Sequence, residues 1–143
     1  MDHLISTDPY VRFLAIQEAL MSRGDWRDDA TWQRFAALTG TLCPLEPEET
    51  ARLIAAAAQI LRERSAWFSD LSTSQRFVVA AVLVCDGVDP LRFLGELEAD
   101  HATFRELGVR HGGHYETLAI LILRHLDHGR PLARWRVEQL KHL

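Results

Sequence analysis

A chain of 143 residues with 48% hydrophobic and 25% charged side chains is long enough to bury a core without disulfides or metal, and it lies far from disordered composition. Its formal charge of −4 is uneven: residues 1–100 hold 9 basic and 16 acidic side chains, and residues 101–143 hold 7 and 4. An acidic body repels phosphate backbones, which argues against general nucleic-acid binding, and no apolar run approaches the roughly 18 residues that span a bilayer.

The opening Met1-Asp2-His3-Leu4 lacks the basic and apolar regions of a secretory signal, and Cys43 and Cys85, far apart in the chain, form no Cys-x-x-Cys motif. These features predict a soluble cytoplasmic protein with reduced thiols and no cofactor required for folding.

Asp8-Pro9 predicts the start of a first helix, with Asp8 as cap and Pro9 at the first helical position. Phe13, Leu14, Leu20 and Met21 fall near one face, and Gly24 ends it. Asp28 and Asp29 start a second helix, carrying Trp32, Phe35, Ala36 and Leu38 and closing near Gly40. Pro47-Glu48-Glu49 starts a third, with Arg62 and Arg64 in its last turns and Trp67-Phe68 closing it; the helix macrodipole favours acids at the start and cations at the end. The run Arg76 to Cys85 is the most uniformly apolar stretch and predicts a buried fourth helix. Ser72 with Gln75 reads as a capping box before it, and Gly87 as a left-handed cap after it. Asp89-Pro90 opens a fifth helix, with Leu94, Leu97, Phe104 and Leu107 inward, ending at Gly108. Gly112-Gly113 precedes a sixth, His114 to His128, apolar on nearly all sides and so predicted to be buried. Gly129 and Pro131 end it. A short last helix follows, with Leu132, Trp135 and Leu140 toward the core.

The fold class expected is therefore all-α, one domain of six to seven helices in antiparallel hairpins. Gln33-Arg34-Phe35-Ala36-Ala37 returns as Gln75-Arg76-Phe77-Val78-Val79, and Glu116-Thr117-Leu118-Ala119-Ile120 follows at a similar interval. A period near 42 residues is the length of α-solenoid hairpins of the HEAT or armadillo type, which would divide the chain into 8–45, 46–88 and 89–131 with a capping helix over 132–143.

The order Trp67-Phe68-Ser69-Asp70-Leu71-Ser72, then Glu98 and Leu107-Gly108, then Gly113-x-Tyr115-x-x-Leu118-Ala119, resembles an all-helical family of bacterial proteins of unknown function. The resemblance spans about half of the chain and rests mostly on packing residues. It implies a fold and carries no catalytic residue.

Six of the seven histidines lie beyond residue 100. His125 and His128 stand one helical turn apart and His114 falls on the same face, a candidate metal set that Asp127 or a neighbouring helix would complete, although no Glu accompanies them in a His-Glu-x-x-His pattern. Glu98-x-x-His101 has the spacing used in carboxylate-bridged di-iron bundles, but it occurs once where such sites need it twice; His101 reads as a part-buried histidine bonded to a neighbouring helix. No nucleophile elbow, phosphate loop or dinucleotide fingerprint is present in the sequence. Trp26, Trp32, Trp67 and Trp135 sit near helix ends, where an indole buries its rings and keeps its N–H satisfied. The residues predict a small non-catalytic protein-interaction or scaffold module, with an acidic protein partner meeting Arg130, Arg134, Arg136 and Lys141 in the basic tail. A metal-binding protein or metal-dependent enzyme using the late histidines is the alternative.

Overall fold

Asp8 and Pro9 open the first helix in the way their chemistry dictates: the Asp8 carboxylate accepts the Tyr10 amide at 2.9 Å, and Pro9 takes the first helical position, where an amide has no partner to lose. The structure, a computed structural model, describes residues 8–23, 29–65, 70–106 and 116–140. Its elements are α1 (Pro9–Arg23), α2 (Ala30–Gly40), α3 (Pro47–Arg64), a 3-10 turn (Asp70–Ser72), α4 (Arg76–Asp86), α5 (Pro90–Glu106), α6 (Glu116–Leu126) and the seven-residue α7 (Arg134–Leu140). There is no strand among the described residues, so the fold is all-α. Gly24, Trp26, Trp67, Phe68, Leu107, Gly108, Gly112 and Gly113 lie outside the described residues.

Several helix ends follow the sequence. Asp29 caps α2 by accepting the Thr31 amide at 2.8 Å, and α3 begins on Pro47 with Glu48 and Glu49 in its first turn and Arg62 and Arg64 in its last. Gly87 is left-handed (φ 67°), its amide bonds Val84 O, and the next amide, of Val88, reaches Leu83 O at 2.9 Å. That closes the end of α4 in a Schellman pattern.

Two expected ends differ. No side-chain capping bond forms at the start of α4: Ser72 belongs to the preceding 3-10 turn, and the Gln75 amide takes the Thr73 hydroxyl instead. The sixth helix is shorter than His114 to His128, because at its end the Gly129 amide reaches back to Arg124 O at 2.7 Å. This places His128 (φ 57°) as well as Gly129 (φ 78°) in the left-handed region. A Cβ on Gly129 would stand 2.8 Å from Val88 Cγ2, so only glycine fits between the end of α6 and the turn after α4.

The helices pack in two rows. α1, α3 and α5 lie side by side, as do α2, α4 and α6, and each even helix also packs on its odd predecessor. α2 and α4 run in the same direction, since the Asp29 amide meets Ser74 Oγ at their starts and Cys85 Sγ meets Thr39 O at their ends. α5 and α6 run in opposite directions, with His101 opposite Glu116 and Glu96 opposite Arg124. The core between the rows is built from Ile16, Leu20, Ile54, Leu61, Val79, Leu83, Phe93 and Ile120, with many alanines among them. Small residues let α2 approach closely: a Cβ on Gly40 would lie 3.2 Å from Thr50 Cγ2 and 3.3 Å from Ile54 Cδ1.

Close packing sets which faces turn inward, and those of α1, α4 and α6 differ from expectation. α2 buries Gln33, Ala36, Ala37 and Gly40 and leaves Phe35 and Leu38 in solvent; α1 buries Arg12, Ile16, Ala19 and Leu20 and exposes Leu14 and Met21. α6 is not buried on all sides, since Ala119, Ile122 and Leu126 face outward. Val82, near the middle of α4, is only part-buried, and Trp135 is exposed instead of packing inward.

Candidate functional site

The late histidines do not converge. His125 Nδ1 lies 2.8 Å from Asp86 Oδ1, tying α6 to the last residue of α4. His128 lies beyond the helix in a left-handed conformation, so the one-turn register expected to give it a common ligand with His125 does not extend to it. His114 and His111 lie outside the described residues. Among the described residues, no group of three His, Cys, Asp or Glu side chains is placed to hold a metal ion. His101 is part-buried as expected and faces α6: its Nδ1 is 3.1 Å from Glu116 Oε1, an angle outside hydrogen-bond geometry that makes the contact an ion pair when the imidazole is protonated.

The basic tail is already engaged with carboxylates. Arg134 meets Glu106 at 3.3 Å and Glu138 at 3.4 Å, and Arg130 meets Asp127 at 3.6 Å. All of these side chains but Asp127 are exposed. The Arg136 side chain and Lys141 lie outside the described residues.

Among the described residues three arginines are buried. Arg12 donates to the carbonyls of Cys43 (2.6 Å) and Leu45 (2.9 Å), closing the turn between α2 and α3. Arg76 lies over the Phe77 ring and donates to Thr73 O. Arg124, 1% exposed, donates to Asp100 Oδ2 (2.7 Å), Glu96 Oε2 (2.9 Å) and Gly129 O (3.0 Å), with its guanidinium over the Phe93 ring. Asp100 in turn accepts the Leu132 amide at 3.0 Å. This cluster fastens α5, α6 and the segment leading to α7, with Arg124 and Asp100 buried and Glu96 part-exposed. Its signal in the sequence is one charge on the inward row of each helix: Arg124 beyond Thr117, Ile120 and Leu121, and Asp100 between Leu97 and Phe104.

Cys43 and Cys85, distant in sequence, meet at the end of α2. Both are free, and the Cys85 thiol lies 3.6 Å from Thr39 O and beside that of Cys43. Burial, then the neighbouring Cys43 and Asp86, push the Cys85 thiol up to about 12. A thiol that stays protonated at neutral pH is a poor nucleophile.

The two rows differ most on their outer surfaces. The even row presents Phe35 (53% exposed) and Leu38 (55%) on α2 with Leu42 (79%) in the turn after it, Val78 and Val82 on α4, and Ala119, Ile122 (57%) and Leu126 (71%) on α6. Charge in these rows is confined to Arg34 beside Phe35 on α2 and to the Asp86–His125 pair at the ends of α4 and α6. The odd row turns Arg52, Gln59 and Glu63 of α3 and Arg92, Glu98 and Glu106 of α5 to solvent. α1, at the end of its row, exposes Tyr10, Leu14 and Met21 with Glu18 among them. The apolar excess of the even helices thus serves an outer surface as well as the core.

No family model, curated protein or solved structure matches this chain. No helix among the described residues is long and apolar enough to cross a membrane. Exposed apolar area on one side of a small fold gains free energy only when it is covered.

Proposed function

We propose that this chain is a small protein-interaction module, without catalysis of its own, whose partner docks on the outer surface of α2, α4 and α6. The carrying observation is the contrast between rows: mostly apolar on the even helices, where Arg34, Asp86 and His125 are the charged or titratable exceptions, and charged and polar on α3 and α5. A fold that needed these residues only for its own stability would turn them inward. Here α2 buries alanine and glycine while Phe35, Leu38 and Leu42 stay in water. Stacked helical hairpins commonly offer one such row to partners.

The basic tail supports docking less well, because Arg130 and Arg134 already face carboxylates of the same chain. The late histidines support a metal site less well, because His125 is joined to Asp86 and His128 stands apart. The test is photo-crosslinking in living cells of the source, with a benzophenone amino acid at Val82 or at Gln59 on the opposite surface. Adducts with another protein are expected from position 82 and not from 59. Leu38→Asp with Ile122→Asp should remove the adduct and change stability by no more than about 0.5 kcal/mol, as surface substitutions do. Equal adducts from 59 and 82, or none from 82, would refute the reading.

A further inference from the structure

The even surface has the shape of a trough. Val78 and Val82 on the central helix are part-buried, while Phe35 and Leu38 on one flank and Ile122 and Leu126 on the other leave more than half of their surface in solvent. The floor is therefore α4, and the walls are side chains of α2 and α6. The walls are level. Cys85 meets Thr39 of α2, and its neighbour Asp86 meets His125 of α6, so Leu38 and Ile122 stand within about 2 Å of the same height along α4 at ~1.5 Å per residue. The α6 wall carries Ala119, Ile122 and Leu126 at i, i+3 and i+7, and the α2 wall carries Phe35 and Leu38 at i and i+3 with Leu42 in the turn beyond its end.

We infer that this trough seats one amphipathic α-helix of a partner protein, lying along α4 with an uncharged apolar stripe on Val78 and Val82 and its flanks against Leu38 and Ile122. The inference rests on the docking role proposed above and names its occupant. Size decides against a second copy of the chain. Three helices of 11 residues, each about 16 Å long and about 8–10 Å from the next, present a footprint on the order of 400–500 Å². Even with surface relief added, that is short of the roughly 800 Å² per partner in a stable interface between globular proteins. It matches a helix of about three turns laid in a groove, which anchors through residues at i, i+3, i+4 and i+7. Charge decides against an anionic lipid surface, which binds helices whose apolar face is bordered by lysine and arginine. Among the described residues of α2, α4 and α6 the exposed arginine is Arg34 alone, beside Phe35, since Arg76 and Arg124 are buried, and a single arginine is no such border.

The test places the benzophenone probe at Leu38 and, in a separate protein, at Ile122, and reads by mass spectrometry which residues of the partner are labelled. A helix along α4 meets the two walls with opposite flanks of one turn, so both probes should label a single segment at positions within about four residues of each other. That segment should carry apolar residues at helical spacing. Labels on two unconnected segments of a partner would show a globular surface, labels on peptides of this same chain a second copy, and labels on lipid a membrane. Each of these overturns the helix while leaving the even surface as a contact surface. Absence of any label at 38, 82 and 122 overturns the docking role itself.

Discussion

Replacing Asp100 by alanine tests the polar cluster that holds the third helical pair. Asp100 and Arg124 keep 2% and 1% of their surface in water, and their side chains meet at 2.7 Å. Removing one partner of a buried pair strands the other charge, at about 3–5 kcal/mol. Glu96, part-exposed and 2.9 Å from the same guanidinium, retains some of the pairing, which places the loss near 3 kcal/mol at the lower bound of that range. The Leu132 amide also loses its acceptor, so docking of the segment before α7 weakens with it. At about 2–4 °C per kcal/mol for a domain near this size, Asp100→Ala should melt roughly 6–12 °C below the parent. Circular dichroism melts and urea titration measure it. The double replacement Asp100→Leu with Arg124→Met should recover most of the loss, because an apolar pair of similar volume removes the stranded charge. A single variant melting within about 2 °C of the parent would show that the cluster does not hold α6 in place, since a loss that small is under about 1 kcal/mol.

Two further predictions separate the faces and chemistry of α4. Val79→Asp sets a carboxylate at a position 1% exposed and should cost several kcal/mol, leaving the protein unfolded or insoluble, whereas Val82→Asp on the part-buried outer row should fold with a smaller loss; equal solubility and equal urea midpoints for the two would show that the inward and outward rows are misassigned. Cys85 predicts a pH effect of definite sign. Its thiol is held up to about 12 in the folded protein, so the unfolded chain ionises first, near 8.5, and the stability the group contributes is present below that pH and declines as pH rises toward 12. Urea midpoints at pH 8 and pH 10 should therefore fall more in the parent than in Cys85→Ala, and parallel falls would contradict the raised value.

The sequence by itself determined where most helices begin and which class of fold they make. Asp8, Asp29, Pro47 and Gly87 act through bonds to amides and carbonyls a few residues away, so their effect is written locally and survives whatever the rest of the chain does. Tertiary structure decided which side of each helix is inside. Phe35 and Leu38 are large apolar residues of α2, yet Gly40 and Ala36 are the ones buried, because a row of small side chains admits neighbouring helices more closely than a row of large ones. Periodicity alone could not distinguish a helix buried on all sides from one with an apolar outer surface, since both lack a polar stripe, and α6 is the case in which that ambiguity mattered. Arg124 and Asp100 are separated by 24 positions, and the meeting of the thiols of Cys43 and Cys85 depends on α2 and α4 running in the same direction. Such pairings are a matter of which helix lies beside which, a choice made by the packing of whole faces and carried by no single stretch of chain.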